Sequence, residues 1–147
     1  MTDAKLAFQS LYDFVNASSK ANKEGVLSGL HFPHSTYADG SDPRLFQNGE
    51  EYWEFLSYQI KQMRELEGWT HSTIDLAEII NIAPQTVQML VEFSRRRADG
   101  SAFGVGRGIW IATKKQDQRG MQVCLAFPKN GKINFFGGQP NSEKNTT

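Results

Sequence analysis

The chain has little that would tie it to metal, membrane or nucleic acid. Its 147 residues include one cysteine, Cys124, which excludes an internal disulfide and a cysteine-built metal site. Sixteen Lys and Arg balance sixteen Asp and Glu. A chain without net charge has no general attraction for nucleic acid or an anionic bilayer, so neither is an expected partner. No run of 18 apolar residues is present, so no helical membrane span is expected. Met1 to Lys5 lacks the basic-then-apolar order of a secretory signal, and the cytoplasm is the expected location. The three histidines are His31, His34 and His71. His31 and His34 bracket Pro33, which keeps them off one helix face, and no carboxylate stands at ligand spacing; no metal is expected. What is present is ordinary globular composition, 39% hydrophobic and 12% aromatic, in a length that suits one domain with a real core.

The hydrophobic period divides the chain. Residues 3–20 place Leu6, Leu11, Phe14 and Val15 at helical spacing, with Phe8 and Tyr12 on the flanks. Asn22 can cap a short second helix carrying Val26, Leu27 and Leu30, which Pro33 is expected to stop. Ser35 to Ala38 reads as a short extended piece, and Asp39-Gly40-Ser41-Asp42-Pro43 as a turn before an extended Arg44 to Gln47. Asn48 and Glu51 have capping-box spacing. The helix they open carries Tyr52, Leu56, Ile60 and Met63 on one stripe, joined by Trp53, Phe55 and Leu66, and Gly68 is placed to end it.

Beyond Trp69 the period becomes 2. Strands are expected at 70–82, with Ile74, Leu76, Ile80 and Ile82 in one register, then at 85–97, 102–113 and 121–127, with a polar turn at 114–120. Asp99-Gly100 is a hairpin signal of the two-residue type in which both residues take positive φ. That turn pairs Ala98 with Ser101. It sets Val87, Met89, Val91, Phe93 and Arg95 opposite Ala112, Trp110, Gly108, Gly106 and Gly104. Large residues facing small ones make a concave, closely approachable surface. The other face pairs Leu90 with Ile109, Glu92 with Arg107, Ser94 with Val105 and Arg96 with Phe103. Residues 1–136 read as one domain, and the Gly-, Asn- and Ser-rich 137–147 as a flexible polar tail.

Within this frame most candidate chemistry has a plain reading. Arg95-Arg96-Arg97 splits between two strand faces, and such a triplet beside a hairpin tip is usually a solvated end; the other reading is that Arg95 rims a pocket and holds an anionic group. Glu92 and Arg107 read as a cross-strand ion pair. Gly104-Val105-Gly106-Arg107-Gly108 lies inside a strand, so it is not a phosphate cradle. Cys124, without a basic neighbour, reads as a buried inert thiol.

Two helices, a short strand pair, a third helix and then long antiparallel strands form a recognisable order. With Leu30-His31-Phe32-Pro33-His34, Tyr37-Ala38-Asp39-Gly40, Asn48-Gly49-Glu50-Glu51 and the strand Gln122 to Pro128, the chain resembles the nuclear transport factor 2-like superfamily over residues 4–128. That superfamily includes ketosteroid isomerase, scytalone dehydratase and the SnoaL-like polyketide cyclases. The resemblance implies an α+β cone, a curved antiparallel sheet and three N-terminal helices enclosing a pocket. By element order Asp39 looks like the catalytic base and Tyr12 like the tyrosine donor, while Trp110 stands where the isomerase has a second acid. His71 is the candidate for a dehydratase-like pocket histidine. The expected pocket wall is Tyr37, Trp53, Leu56, Met89, Val91, Phe93 and Trp110, with Asp39 on the concave side together with Ser35 and Tyr37.

Two functions fit. One is cofactor-free proton transfer next to a carbonyl, as in isomerisation, cyclisation or dehydration, with Asp39 as base and Tyr12 as donor. The other is a non-catalytic ligand-binding or scaffolding module. Either way the expected partners are a small, largely apolar ligand and a second copy of the chain. That copy would dock on a sheet face carrying Leu90, Phe103, Val105, Ile109, Ile111, Val123, Leu125 and Phe127.

Overall fold

The structure, a computed structural model, describes residues 2–128. The expected tail at 137–147 and the end of the expected 1–136 domain lie outside the described residues. In chain order the elements are α1 (Asp3–Ser19), α2 (Lys23–Ser28), β1 (Leu30–Ala38), β2 (Arg44–Phe46), α3 (Gly49–Glu67), β3 (Trp69–Ile82), β4 (Thr86–Arg97), β5 (Ala102–Lys115) and β6 (Gln118–Pro128). All six strands join one sheet in the order β2-β1-β6-β5-β4-β3.

The helix ends follow local chemistry. Asn22 accepts from Gly25 N–H at 3.2 Å, and Asn48 accepts from Glu51 N–H at 3.0 Å. The Glu51 carboxylate reaches back one residue past the cap, accepting from Gln47 N–H at 2.8 Å. Gly68 takes φ +70° and donates to Arg64 O at 3.2 Å, closing α3.

Leu30 and Pro33 depart from expectation. Leu30 opens β1 instead of ending α2, and Pro33 lies inside the strand. It sits in the irregular stretch between Leu30↔Met121 and Ser35↔Val123, where a residue without an N–H breaks no ladder pair. The pairing of β1 with β6 is parallel, so the sheet is mixed, not wholly antiparallel. The chain reaches β6 from β1 only after β2, α3 and three further strands, a crossover long enough for parallel pairing.

In β3 the single apolar register is broken by three irregularities, at Trp69/His71, Ile74/Leu76 and Ile79/Asn81. Ile74 and Ile79 therefore pack with the core, Leu76 falls opposite Glu92 on the other face, and Ile80 and Ile82 are exposed. Such bulges bend a strand and curve the sheet.

The β4–β5 register matches expectation from Val87↔Ala112 to Arg95↔Gly104. The turn does not. Gly100 alone in it has positive φ, at +88°, and donates to Arg97 O; Arg97, not Ala98, bonds with Ser101. The loop thus holds three residues, and a bulge between Arg95 and Arg96 absorbs the offset, so that Arg96 faces Ala102 rather than Phe103. Phe103 turns to the α3 side, against the cluster of Ile60, Met63 and Trp69, and leaves the expected dimer face. The two-residue turn with both φ values positive occurs instead at Gln116 (+50°) and Asp117 (+67°), between β5 and β6. Gly100→Val meets no steric neighbour but must hold a β-branched residue at +88°. A loss of about 1–3 kcal/mol is expected in denaturant unfolding, and unchanged stability would contradict this turn geometry.

The helices cover one sheet face. Leu11, Phe14 and Val15 of α1 pack with Val87, Met89, Val91, Trp110, Ala112 and Met121, all buried. The opposite face carries the Glu92–Arg107 ion pair, with Arg107 Nε donating to Glu92 at 2.9 Å.

Candidate functional site

Between α1, α3 and the inner sheet face lies a cavity with about 90 Å³ open to the centres of water-sized groups. One water needs roughly 10–15 Å³ by such a measure, so the space suits several waters or one compact organic molecule. Helix α3 supplies its apolar stripe: Tyr52, Phe55, Leu56, Ile60 and Met63, with Gln59 among them. From α1 come Phe14, Val15 and Ser18, at i, i+1 and i+4 on the face that Leu11 begins. The sheet closes the space with Thr36, Trp69, Ser72, Ile74, Phe93, Arg95, Trp110 and Cys124.

The wall is aromatic. Phe14 meets Trp110 edge-on with ring centroids 5.5 Å apart, and Tyr52 meets Phe55 at 6.2 Å. Glycines make room for the long side chains. An added Cβ at Gly108 would lie 2.7 Å from Trp110 Nε1 and 2.5 Å from Leu125 O. Gly104, opposite Arg95, leaves ordinary contact space, its Cβ position 3.9 Å from Arg95 Cδ.

Three of the polar lining residues, Ser18, Ser72 and Arg95, are linked through β3, β4 and the end of α1. Ser72 stands directly across the β3–β4 ladder from Arg95, on the same face. Ser72 Oγ accepts from Trp69 Nε1 at 3.1 Å, and Ser72 N–H donates to Ser19 Oγ at 3.2 Å, which brings the end of α1 and its Ser18 to this corner. The Ser18 hydroxyl is buried with no hydrogen-bond partner among the described residues. Arg95 is 4% exposed and lies 5.5 Å from the Phe93 ring centroid. Burial lowers its pKa from the usual arginine value to about 9, which still leaves it a cation at neutral pH. Burial raises the Tyr52 phenol and the Cys124 thiol, so both remain protonated there. Among the described lining residues no Asp, Glu or His appears.

Of the residues expected on the wall, Leu56, Phe93 and Trp110 line the cavity. Met89 and Val91 are fully buried, but within the packed core, and Trp53 packs on that core outside the cavity. Tyr37 and Asp39 are exposed and do not line it. The inward register of β1 is His34, Thr36 and Ala38, fixed by pairing of Thr36 with Cys124 and Ala38 with Ala126. Asp39 continues the outward set. Tyr12 is 43% exposed, because α1 turns Leu11, Phe14 and Val15 inward and Tyr12 follows Leu11 by a third of a turn. Asp39, Tyr12 and Trp110 are therefore not brought together. Arg95, read first as part of a solvated hairpin end, is instead inside. His71 is half-buried and outside the cavity, hydrogen-bonded to Thr70.

The other lining residues were not expected on the wall: Phe14, Val15, Tyr52, Phe55, Ile60, Met63 and Ile74 read only as apolar core or strand positions, and Ser18, Thr36, Gln59, Trp69, Ser72 and Cys124 were not placed there at all. Two signals pointed to some of them: Ser18 continues the Leu11–Val15 stripe, and Gln59 interrupts an apolar one.

No protein-family model matches the sequence, and no curated protein matches it. Solved structures do match. One from Novosphingobium aromaticivorans, described as nuclear transport factor 2-like with a cystatin-like fold, superposes with TM-score 0.73 at 9% identity, over 88% of this chain and 84% of that one. The fold is the nuclear transport factor 2-like, cystatin-like fold. A proposed dehydratase described as nuclear transport factor 2-like, from Streptomyces avermitilis, has TM-score 0.69 at 10% identity, over 88% and 97% of the two chains. A proposed aromatic ring hydroxylase from Novosphingobium aromaticivorans has TM-score 0.69 at 12% identity, over 88% and 90%. The nuclear transport factor 2-like α+β architecture expected from element order is thus the one observed. Among the described residues no group of three His, Cys, Asp or Glu is placed to hold a metal, and no helix is long and apolar enough to cross a membrane.

Proposed function

We propose that the protein binds a small, largely apolar molecule in the cavity between α1, α3 and the sheet. The observation that carries this is the cavity itself, open space lined by six aromatic residues beside the main hydrophobic core. Protein interiors hold few voids larger than water, and an apolar concavity with a few converging polar groups is the usual form of a ligand site. Two structural neighbours carry enzyme descriptions, a dehydratase and a ring hydroxylase. The wall here supports binding over proton abstraction, since its phenol and thiol stay protonated at neutral pH and no carboxylate or imidazole lines it among the described residues. Calorimetric titration with benzyl alcohol tests the reading. Saturable binding is expected, and Leu56→Trp, which fills the space, should weaken it by about tenfold or more while the fold persists. Absence of binding, or equal binding to the filled variant, would overturn the site.

We also propose a homodimer through the open sheet face. Leu90, Val105, Ile109, Ile111, Val123, Leu125 and Phe127 are only half-buried there and belong to no core cluster. They adjoin one another across the ladders, as Leu90↔Ile109, Ile109↔Leu125 and Ile111↔Val123. A contiguous apolar patch of this kind is more than a soluble monomer usually leaves open. Light scattering at tens of micromolar, roughly the range where an ordinary interface stays closed, should give twice the chain mass. A monomer at that concentration would contradict the proposal.

A further inference from the structure

The cavity is amphipathic, and its two ends differ in a way that specifies the ligand's chemistry. Arg95 is the charged residue among the described lining residues, and it is a cation. It projects from β4 beside Ser72, its cross-strand partner, and the backbone contact of Ser72 with Ser19 brings Ser18 to the same corner. Ser18 offers a buried hydroxyl with no partner among the described residues. Ser72 Oγ already accepts from Trp69 Nε1 and has its own proton to donate. A guanidinium and two hydroxyls together form a donor set, and such sets complement a carboxylate oxygen pair far better than a carbonyl or an ammonium. The rest of the wall is mostly rings and aliphatic side chains, Phe14, Tyr52, Phe55 and Trp110 among them, with Thr36 and Gln59 as its other polar side chains, and such a wall favours a flat apolar body.

We propose that the cavity's ligand is a small apolar carboxylic acid, bound as its anion, with its carboxylate held by Arg95, Ser18 and Ser72 and its ring or chain among the aromatic residues. This rests on the small-molecule reading above and narrows it to one class of ligand. Serine hydroxyls and a rigid guanidinium fork set the anion's orientation, and a doubly charged phosphate would meet the same groups with more charge to remove from water in a mostly apolar space.

Benzoate and its neutral isostere benzamide separate the two ideas when titrated in parallel, read by calorimetry and by the fluorescence of Trp69 and Trp110. Benzoate is expected to bind at least about tenfold tighter than benzamide at neutral pH. In Arg95→Gln the ratio of the two affinities should fall toward one. Arg95→Lys keeps a charge without the fork and should give an intermediate ratio. Ser18→Ala, a smaller change and the variant to use if Arg95→Gln fails to fold, should lower the ratio by about threefold. Equal binding of benzoate and benzamide to the unaltered protein would overturn the carboxylate assignment and leave the pocket standing. So would a preference for benzoate that survives undiminished in Arg95→Gln and Ser18→Ala. Failure of both compounds to bind would overturn the assignment together with the pocket reading on which it rests.

Discussion

Gly108→Val is expected to unfold the protein or to lower its stability by about 3 kcal/mol or more, at the upper end of overpacking costs. Gly108 lies in β5, between β4 and β6, opposite Val91 on one side and Ala126 on the other. Even a single Cβ there would stand 2.5 Å from Leu125 O and 2.7 Å from Trp110 Nε1. The first neighbour is backbone of a paired strand and cannot rotate away, so relief requires the strands to part or the indole to leave its place against Phe14. Gly104 provides the control on the same strand and face. Its Cβ position meets only Arg95 Cδ, at 3.9 Å, and its φ is not in the left-handed region. Gly104→Ala should therefore be neutral or stabilise by up to about 1 kcal/mol through the lost freedom of the unfolded chain. Denaturant unfolding of the two variants checks the contrast, and similar stabilities would show that the close approach at Gly108 is not what requires glycine.

Acidification is expected to remove about 3 kcal/mol of stability, most of it from one histidine. His34 is fully buried on the inner face of β1, with its ring edge-on to Tyr52 at 5.2 Å. Its Nδ1 lies 3.0 Å from Met121 O, and since a carbonyl only accepts, Nδ1 carries the proton and Nε2 is the basic atom. Burial lowers the pKa to about 4, partly opposed by the Met121 hydrogen bond. Between pH 6.5 and 4 the unfolded chain takes up a proton that the folded one refuses, so stability falls as pH drops through that window and levels below it. His31, lowered by partial burial and by Lys115, acts in the same direction. His34→Gln should flatten most of the slope, leaving the smaller part due to His31. A variant whose stability tracks pH as steeply as the unaltered protein would place the titration elsewhere.

What the sequence disclosed and what it withheld divide along the range of the interactions involved. The caps at Asn22, Asn48 and Gly68 were legible because each is settled within four residues. The β4–β5 register was legible because Asp99-Gly100 marks where the chain reverses, and counting back from it aligns Val91 with Gly108, Phe93 with Gly106 and Arg95 with Gly104. The turn that joins those strands was misread, since Asp-Gly suits both a two-residue loop and a three-residue loop ending in a left-handed glycine, and the bulge near Arg95 hides the difference. The face of β1 was inverted for a non-local reason. Tyr37 is the most apolar choice for an inward position, yet parallel pairing aligns it with Leu125 on the open face and aligns Thr36 with Cys124 inside. Asp39 was thereby expected in the cavity and stands outside it. Arg95 was half legible: strand alternation sets it on the face of Val91 and Phe93, but its triplet beside a hairpin tip also looks like a solvated end, and its burial depends on the cover that α1 and α3 bring from far along the chain.

Methyl-labelled NMR during titration with benzoate addresses the central claim most directly, because it reports where binding occurs as well as whether it does. Saturable shifts should appear at Val15, Leu56, Ile60, Met63 and Ile74, which line the cavity from three elements, α1, α3 and β3. Ile109, Ile111, Val123 and Leu125 on the open sheet face should stay in place. Shifts confined to the open face, or none at saturating ligand, would contradict the account.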